Sequence, residues 1–299
     1  MSTLYSNINI KTHLQQFLVD KAKAIKSKPV LNIIQIGDVT SSTKYINNKK
    51  KLAQEIGLVV EHHQFDNKVD EDVLIAIIQK ARDKNEGLIF QLPVPSEFMS
   101  LVGETPLECD VDLHSDSNSY LWKKGYLPPT IGAIDIVLKE MLIRRDIKLE
   151  SGEANIFEGF NSYDMEAFIN SKLDLKGKVV AVVGQGGLVG YPLMTYLRDR
   201  EATIISINKD TKNASELTKL ADILISGAGV PGIVTKDYLN ENQIIIDAAT
   251  MGVNGVLMGD VDSEKIYSNN YLCPSPKGVG PITVMLIFWN LIRLTTDYK

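Results

Sequence analysis

Apolar runs alternate with longer amphipathic stretches between Pro29 and about Val94. Three of these runs have the length and the β-branched content of short strands, namely PVLNIIQIG, LVVEHHQF and GLIFQLPVP. The stretches between them have helical spacing and read STKYINNKKKLAQEIG and VDEDVLIAIIQKARD. Strands that are joined by helices run parallel, because each helix carries the chain back to the edge where the next strand starts. This region therefore predicts an α/β unit with a parallel sheet.

A second series of the same kind begins at Lys178. Its strand-like runs are KVVAVVG, TIISIN, ADILISGAG and QIIIDAA. A glycine-rich turn and a helix near Val189 to Arg198 follow the first of these runs. The series predicts a second α/β unit.

The segments outside the two series set the predicted domain limits. Residues 150–174 form a polar and aromatic excursion without strong strand character, which we interpret as the interdomain region. The segment from Ile282 to about Leu294 is apolar enough for a packed helix, and its place after the second series suggests that it returns to the first domain. The predicted fold class is α/β with two domains. The first covers residues 1–148 together with a C-terminal helix at 281–299, and the second covers residues 149–280.

Composition narrows the class of partner. The chain has 299 residues, which fits two ordinary domains, and its 44% hydrophobic and 23% charged residues are the balance of a globular protein. A net charge of −5 gives no electrostatic reason to expect nucleic acid or an anionic membrane, so small molecules are the expected partners. The start of the chain lacks a basic segment followed by an apolar run, and no stretch approaches the roughly 20 apolar residues of a membrane span. We therefore expect a cytoplasmic protein.

Metal and disulfide chemistry is not expected from the cysteines and histidines. The two cysteines provide no disulfide framework, and neither they nor the four histidines have metal-ligand spacing. We interpret the histidines as solvated or packed side chains. The residues concerned are Cys109, Cys273, His13, His62, His63 and His114.

The turn after the first strand of the second series has the context of a nucleotide site. Dinucleotide phosphates bind where backbone N–H groups and the positive end of a helix dipole meet, and this turn opens a helix. Its spacing is not the strict G-x-G-x-x-G pattern, so a simple strand-to-helix turn remains an alternative. The context favours nucleotide binding. The turn consists of Gly184, Gln185, Gly186, Gly187, Leu188, Val189 and Gly190.

About 20 residues further on, the run TIISIN ends in Asn208, Lys209 and Asp210. NAD-binding folds place an acidic residue near this point, on the ribose hydroxyls. Lys209 could pair with a ribose phosphate and favour NADP, whereas Asp210 could accept hydrogen bonds from the ribose hydroxyls of NAD. Both side chains could also be plain solvated charges. We expect NADP and keep NAD as the alternative.

Tyr45 and Lys49 stand four residues apart on a predicted helix of the first domain, so both side chains project from one face. Ser41 and Ser42 mark the start of this helix. A lysine that is partly removed from water can exchange a proton near neutral pH, because burial destabilises the ammonium form. The alternative is an exposed lysine beside a half-packed tyrosine. Spacing alone does not separate the two.

The position of this pair in the chain argues against the short-chain dehydrogenases. Those enzymes place a Tyr-x-x-x-Lys pair after the glycine-rich loop of the same domain, whereas here the pair precedes the loop by well over a hundred residues. The pair is instead followed by QLPVP, from Gln91 to Pro95, at the end of a strand and by Asp110-Val111-Asp112 in a polar loop.

Taken in order, these segments closely resemble the bifunctional methylenetetrahydrofolate dehydrogenase/methenyltetrahydrofolate cyclohydrolase family. The resemblance extends over nearly the whole chain, in the order and approximate spacing that the family shows. The segments that carry it are SSTKYINNKK, GLIFQLPVP, CDVDLH, LPPTIGA, LKGKVVAVVGQGGLVGYP, ADILISGAGVP, GDVD and PSPKGVGPITV.

The resemblance implies a role for each matching residue. Lys49 would be the principal catalytic residue of the cyclohydrolase step, Tyr45 would stack on the folate, Gln91 would hold the lysine by a hydrogen bond, and Asp112 would bind the pterin edge. The turn from Pro274 to Pro281 would line the cleft. Further substrate contacts would come from Leu92, Pro93, Lys277, Gly278 and Pro281. Cofactor contacts would come from Gly184, Gln185, Gly186, Gly187, Val189, Gly190, Asn208, Lys209, Gly227, Ala228, Gly229 and Thr283.

The same resemblance implies the activity. The first domain would be a folate-binding catalytic domain, and the second a Rossmann-type dinucleotide-binding domain. The protein would oxidise methylene-tetrahydrofolate with NADP or NAD and hydrolyse the methenyl product to formyl-tetrahydrofolate. Its partners would be tetrahydrofolate one-carbon derivatives, and it would form a homodimer. Hydride transfer itself needs the reacting atoms to be positioned and needs no protein acid.

Several positions depart from the family pattern. Gln185-Gly186 stands where the family usually has Arg-Ser, which removes a phosphate contact, and Lys277 replaces the first glycine of a Pro-Gly-Gly turn. A long cation at that position could crowd the cleft or extend into solvent. Cys109 and Leu113 replace a lysine and a glycine beside Asp-Val-Asp, and Pro129 replaces a cysteine.

The departures cluster on the dinucleotide and glycine-turn side, while Tyr45, Lys49, Gln91 and Asp112 are all present, which leaves alternatives to the full activity. One is a cyclohydrolase with lost or altered dehydrogenase activity, and another is a non-catalytic protein that binds folate or nucleotide. An unrelated Rossmann-type dehydrogenase of hydroxy or amino acids would require a catalytic histidine or a Lys-Asp pair, for which the sequence offers no candidate.

Overall fold

The computed structural model describes residues 3–5, 7–38, 40–115, 119–146, 156–253 and 256–298. The chain divides into two compact units. We call residues Met1–Thr12 and Thr130–Thr283 the six-stranded unit, and residues His13–Pro129 and Val284–Lys299 the three-stranded unit, after their sheets.

Helices and strands alternate along most of the described chain. In chain order they are β1 (Thr3–Leu4), α1 (Ile8–Ala24), β2 (Val30–Ile36), α2 (Thr40–Ile56), β3 (Val59–Phe65), α3 (Glu71–Asp83), β4 (Gly87–Phe90), α4 (Met99–Gly103), α5 (Ser119–Lys123), α6 (Pro129–Asp146), α7 (Ser162–Asn170), β5 (Val179–Val183), α8 (Gly190–Arg198), β6 (Thr203–Ile207), α9 (Ala214–Thr218), β7 (Ile223–Ser226), β8 (Ile244–Asp247), β9 (Met251–Val253), β10 (Val256–Met258), β11 (Tyr271–Cys273) and α10 (Val279–Asp297). Short 3₁₀ turns lie at Ser96–Phe98 and Lys236–Tyr238.

The three-stranded unit is built on a parallel sheet with the order β3-β2-β4. Six of the seven residues of β2 are buried, which is why its sequence is almost continuously apolar. The chain places β3 on one side of β2 and then β4 on the other, so the strand order reverses between β2 and β4. In open α/β sheets, ligands bind at the carboxyl ends of the strands next to such a reversal.

The six-stranded unit has the order β1-β11-β8-β7-β5-β6, with every neighbouring pair parallel. Here the order reverses between β5 and β7. The predicted parallel α/β series are therefore confirmed in both units. The edge strand β1 and its neighbour β11 have two and three residues, and the β9-β10 hairpin has strands of three residues. Segments of this length are too short for hydrophobic periodicity to reveal.

Helix α10 confirms that the C-terminal segment returns to the unit of the first sheet, since the unit's residues include Val284–Lys299. The amide of Asn290 donates hydrogen bonds of 3.0 Å to the carbonyls of Val111 and Leu127. A Cβ on Gly87 would lie 2.5 Å from Leu291 Cδ1, so only glycine lets this strand approach the helix so closely.

Helix α10 also corrects one expectation about membrane segments. No stretch of membrane-spanning character is expected from the sequence, but the 19 residues of α10 are long and apolar enough to cross a membrane. An 18-residue segment of the helix has a mean hydropathy of 1.4. However, 67% of this segment is buried inside the protein. A helix that is apolar on all sides is typical of a protein core as well as of a membrane, and burial indicates the core.

The polar and aromatic excursion at 150–174 contains a helix. Residues 150–155 lie outside the described part, and the remainder contains α7, which Asn161 caps by accepting hydrogen bonds from the N–H groups of Tyr163 and Asp164. Lys139 Nζ on α6 donates to the carbonyls of Phe168 and Ile169 at 3.1 and 3.2 Å. These hydrogen bonds join α6 to α7 within the six-stranded unit. The contact is favourable, because a cation stabilises the carbonyl end of a helix.

The predicted domain limits stay predictions. The limit at 148/149 lies outside the described residues, and the limit at 280/281 falls inside α10. The division by compactness assigns α6 from Thr130 onward to the six-stranded unit, whereas the sequence places it in the first domain.

Candidate active site

Helix α2 of the three-stranded unit presents Tyr45 and Lys49 one turn apart. Lys49 is only 6% exposed, and Tyr45 is half-buried. Of the two interpretations left open by spacing, the structure therefore contradicts the exposed lysine.

Gln91 is the hydrogen-bond partner of this lysine. Lys49 Nζ donates to Gln91 Oε1 at 2.9 Å. Gln91 follows β4, and its backbone N–H donates to the Ile34 carbonyl on β2 at 2.8 Å, while its Nε2 donates to the Leu92 carbonyl at 3.2 Å. These contacts fix the amide, so that its oxygen faces the ammonium group. The pair lies beside the strands where the sheet order reverses.

Burial changes the acidity of Lys49. Removal from water lowers its pKa below the usual range, and the negative charge of Asp112 opposes this shift without cancelling it. A lysine with a lowered pKa exists partly as the neutral amine at lower pH than an exposed lysine does. It can therefore accept a proton and return it during a reaction.

The turn after Gln91 is tied to the start of helix α2. Ser42 Oγ donates to the Leu92 carbonyl at 3.1 Å, and the Leu92-Pro93 peptide bond is cis. Leu92 is half-buried, and Pro93 is exposed. Ser42 thus serves a purpose beyond marking the helix start, one that sequence spacing does not reveal because the partner lies 50 residues further on.

The loop that carries Asp112 is organised by Asp110. The Asp110 carboxylate is 3% exposed and accepts hydrogen bonds from the N–H groups of His114 at 3.2 Å and Ser115 at 2.7 Å. Burial raises the pKa of Asp110 to about 6, and these backbone donors oppose the increase. Asp112 is half-buried beside it. The sequence shows both acidic residues in one motif, but it does not indicate that Asp110 is buried and orders the loop while Asp112 stays accessible.

Two departures from the family pattern flank this motif, and they differ in their effect. Cys109 is fully buried, and burial raises the pKa of its thiol to about 12, so it stays protonated. Leu113 has a φ of 55°, in the left-handed region. A side chain is disfavoured there, which gives a physical reason for the glycine that the family pattern has at this position.

Two histidines pack within polar networks of the three-stranded unit. His62 Nε2 lies 3.0 Å from Gln35 Oε1, and His62 Nδ1 lies 3.1 Å from Lys50 Nζ. His63 Nε2 lies 3.0 Å from Asn32 Oδ1. Burial lowers the pKa of both histidines, which agrees with the expectation of packed side chains.

The glycine-rich turn of the six-stranded unit contains two kinds of glycine. A Cβ on Gly184, whose φ is 99°, would lie 2.7 Å from Ala228 Cα, and a Cβ on Gly190 would lie 2.1 Å from the Gly184 carbonyl oxygen. These glycines permit close packing of backbone on backbone. In contrast, a Cβ on Gly186 or Gly187 would meet nothing within 4 Å. Their backbone is exposed and open to a ligand.

Gln185 and Asn208 are brought together at the ends of β5 and β6. Gln185 Nε2 donates to Ser206 Oγ at 2.8 Å, and Asn208 Nδ2 donates to Gln185 Oε1 at 3.3 Å. The link between strands is therefore made by neutral amides and a hydroxyl. Lys209 and Asp210 are exposed next to it.

The turn from Pro274 to Pro281 carries Lys277. Its backbone is held by Asn7, whose Nδ2 donates to the carbonyls of Lys277 and Gly278 at 2.6 and 2.8 Å. A Cβ on Gly278 would lie 2.2 Å from Cys273 Sγ, so glycine is required there. The Lys277 residue is exposed, which agrees with a side chain that extends into solvent.

The remaining candidate positions are less constrained by contacts. Thr283 Oγ1 donates to the Val279 carbonyl at 3.2 Å within α10, and Pro281 is half-buried. Val189 precedes α8 and contacts the loop after β7, since a Cβ on Gly227 would lie 2.8 Å from Val189 Cγ1. Within the described residues, no group of three histidine, cysteine or acidic residues could hold a metal ion.

Comparison with known proteins gives matches over most of the chain. Residues 6–112 match the model of the tetrahydrofolate dehydrogenase/cyclohydrolase catalytic domain, and residues 164–299 match that of the tetrahydrofolate dehydrogenase/cyclohydrolase NAD(P)-binding domain. The bifunctional protein FolD of Hydrogenobaculum sp. is 33% identical over 291 residues, which cover 95% of this chain and 94% of the relative.

Solved structures show the same fold. The bifunctional FolD methylenetetrahydrofolate dehydrogenase/cyclohydrolase from Campylobacter jejuni has a TM-score of 0.81 at 23% identity and covers 100% of both chains. The methylenetetrahydrofolate dehydrogenase-cyclohydrolase from Trypanosoma brucei, complexed with NADP cofactor and inhibitor, has a TM-score of 0.80 at 21% identity and covers 99% of this chain and 98% of that one.

Proposed function

Since this chain belongs to the tetrahydrofolate dehydrogenase/cyclohydrolase family, we propose that it oxidises methylene-tetrahydrofolate with a nicotinamide cofactor and then hydrolyses the methenyl product to formyl-tetrahydrofolate. The observation that carries the proposal is the buried Lys49, whose Nζ is held at 2.9 Å from Gln91 Oε1. A buried lysine with a lowered pKa and a fixed acceptor is suited to proton transfer.

Hydrolysis requires that protons be moved between water and the folate. The oxygen of water adds to the electrophilic methenyl carbon, and one C–N bond of that carbon then breaks. One proton of the water reaches the departing nitrogen, and the other leaves to solvent. Neutral Lys49 accepts the first proton and delivers it to the nitrogen, while Gln91 holds the amine in place.

Positioning of the folate is assigned to Tyr45 and Asp112. Tyr45 is half-buried one turn from Lys49, so its ring is available for stacking. The Asp112 carboxylate is close enough to Lys49 to influence the pKa of the lysine. A carboxylate can accept two hydrogen bonds from the pterin's amino group and ring N–H, which gives orientation as well as affinity. Leu92 and Pro93 form the adjoining turn.

The six-stranded unit fits a dinucleotide at the glycine-rich turn. Gly186 and Gly187 have exposed backbone and no neighbour within 4 Å of a Cβ, next to the N-terminus of α8 and the reversal of the strand order. The bound cofactor would accept the hydride from the methylene carbon. The chain's own contribution would be to hold it, through the turn from Gly184 to Gly190 and the loop from Gly227 to Gly229.

We assign NADP as the cofactor, with NAD as the alternative. The match to an NAD(P)-binding domain fits either cofactor, and the exposed Lys209 at the end of β6 favours NADP. The neutral contact between Gln185 and Asn208, where the family usually has an arginine, favours a second candidate, a cyclohydrolase with altered cofactor use.

We also infer from the family resemblance that the protein is a cytoplasmic homodimer. Light scattering of the purified protein would test the homodimer.

The test follows two absorbance signals, that of the reduced nicotinamide and that of the methenyl intermediate. Purified protein is mixed with methylene-tetrahydrofolate and either NADP⁺ or NAD⁺, and separately with methenyl-tetrahydrofolate alone. We expect reduction of the cofactor and accelerated loss of the methenyl compound. Methenyl loss without reduction of either cofactor would contradict the dehydrogenase half, and the absence of both signals would contradict the enzyme function.

A further inference from the structure

The carboxylate of Asp260 is the most heavily hydrogen-bonded acidic group near the dinucleotide turn. It is 1% exposed. Its Oδ2 accepts hydrogen bonds from Ser226 Oγ at 2.6 Å, from Ala228 N–H at 2.7 Å and from Gly229 N–H at 3.3 Å, and its Oδ1 accepts one from Val230 N–H at 2.7 Å. A buried anion is unfavourable unless donors compensate for lost water, and these donors do so.

The donors all belong to the end of β7 and the loop that follows it. This loop, residues 227–230, leaves the sheet where the strand order reverses between β5 and β7. It supports the glycine-rich turn directly, because Ala228 leaves no room for a Cβ on Gly184, and Val189 leaves none on Gly227. Asp260 therefore fixes the surface on which the turn rests.

Asp260 is itself held in place by Asp247, at the end of β8. Asp247 is 2% exposed, and its Oδ2 accepts the Val261 N–H at 2.9 Å. A Cβ on Gly259 would lie 2.0 Å from the same oxygen, so the segment before Asp260 also packs against this carboxylate. In addition, the Asp260 carbonyl accepts the Val234 N–H at 2.9 Å. These contacts hold the backbone that carries the Asp260 carboxylate, so the carboxylate is in a fixed position when it accepts the hydrogen bonds of the loop.

The loop itself is partly accessible. Residues 227–229 are half-buried, Val230 is 48% exposed, and Gly229 has a φ of 69°. The N–H groups of residues 228–230 are taken by Asp260, so they are not free to turn toward a phosphate. The loop consequently offers a ligand a fixed backbone surface, and the phosphate donors are left to the glycine-rich turn.

We propose that Asp260 is a positioning residue for the nicotinamide dinucleotide, which acts by holding loop 227–230 against the glycine-rich turn. This inference rests on the proposed function. A role in stability alone would leave the affinity of the folded protein for the dinucleotide unchanged, whereas a positioning role changes that affinity while folate hydrolysis in the other unit continues.

The test compares NADP⁺ and NAD⁺ binding by calorimetry in the wild-type protein and in Asp260→Asn. We expect the variant to bind the dinucleotide about tenfold or more weakly, because the amide can accept at one atom only and its NH₂ faces N–H donors. Its KM for the dinucleotide should rise by a similar factor, while hydrolysis of methenyl-tetrahydrofolate without dinucleotide should match the wild type.

Two further variants keep the test decisive. Ser226→Ala removes one donor and leaves the carboxylate, so it should fold even if Asp260→Asn does not, and its affinity should fall by a smaller factor, about threefold. Asp262→Asn changes a neighbouring surface carboxylate that pairs with Lys265 at 2.8 Å, and it should bind like the wild type.

The outcomes separate the inference from the function on which it rests. Wild-type affinity in both folded Asp260→Asn and Ser226→Ala would overturn the inference and leave the proposed function intact. A wild-type protein that binds neither NADP⁺ nor NAD⁺ would overturn the dehydrogenase function, and with it the ligand assigned to this loop.

Discussion

The two parallel sheets differ in the chemical groups that lie where their strand order reverses. In each, the strand order reverses beside the first strand of its series, β2 in one and β5 in the other. At the first reversal the candidate groups are side chains, namely the buried Lys49 and its partner Gln91. At the second they are backbone groups of the glycine-rich turn, packed against a loop that Asp260 orders.

This difference shows how the same topology supports two kinds of chemistry. Proton transfer needs a titratable group whose pKa is changed by burial, and helix α2 supplies one. Binding of a dinucleotide needs exposed N–H groups and close backbone approach, and glycines supply both. Substitution of Lys49 at the first site should therefore affect catalysis, and substitutions at the second site should affect packing and affinity.

The largest effect is expected from Lys49→Met. Loss of the proton-transfer group should reduce the hydrolysis of methenyl-tetrahydrofolate by about 10²- to 10⁴-fold. Folding stability, measured by thermal unfolding, should be nearly unchanged, because methionine fills a similar volume without a buried charge. The control is Lys51→Met on the same helix, where the side chain is 77% exposed. Hydrolysis at the normal rate in Lys49→Met would remove this lysine from the mechanism.

Asp112→Asn should act on affinity for the folate. An amide cannot accept both hydrogen bonds of the pterin edge, and loss of a charged hydrogen bond weakens binding by about 1.5–3 kcal/mol. The Kd for the folate, measured by fluorescence titration, should rise accordingly. Glu108→Gln, which removes an exposed ion pair with Arg82, serves as the control. Unaltered folate binding in Asp112→Asn would refute the pterin role.

Gly190→Ala and Gly186→Ala separate the two kinds of glycine on the dinucleotide side. The added methyl in Gly190→Ala would lie 2.1 Å from the Gly184 carbonyl oxygen, so unfolding free energy should fall by about 1–3 kcal/mol. Gly186→Ala adds a methyl in open space, and its stability should match the wild type. Chemical denaturation measures both, and equal stabilities would contradict the close packing at Gly190.

Leu113→Gly should destabilise the three-stranded unit. The Leu113 side chain is 2% exposed, and truncation of a buried leucine side chain costs about 2–5 kcal/mol. Glycine recovers only about 1 kcal/mol of this by adopting the φ of 55° without penalty. Thermal unfolding should show a lower midpoint, and a raised midpoint would mean that the backbone strain outweighs the contacts of the side chain.

The smallest effect concerns the pH profile of hydrolysis. The rate should rise with pH as Lys49 loses its proton, and the rise should lie below the range of an exposed lysine because burial lowers the pKa. Asp112 raises that pKa, so Asp112→Asn should move the rising limb to lower pH. The profile is measured at saturating folate, which separates it from the change in affinity. A limb that stays in place would contradict the coupling between Asp112 and Lys49.

The sequence by itself determined the α/β class, the principal strands and helices and the family, because period and motif are local properties that a short segment carries alone. The pairing of Tyr45 with Lys49 on one helix face belongs here, since helical spacing fixes it. The glycine-rich turn belongs here as well.

Only the tertiary structure decided which of these groups are buried and what they contact. Spacing alone is compatible with an exposed Lys49, whereas in the structure Lys49 is buried and donates a hydrogen bond to Gln91, 42 residues further along the chain. Asp260 stands in a short acidic motif whose partners lie more than 25 residues earlier. The backbone carbonyl of Lys277 accepts a hydrogen bond from Asn7, which lies near the other end of the chain. Burial and hydrogen bonding join segments that are distant in the chain, and spacing within one segment carries no information about them.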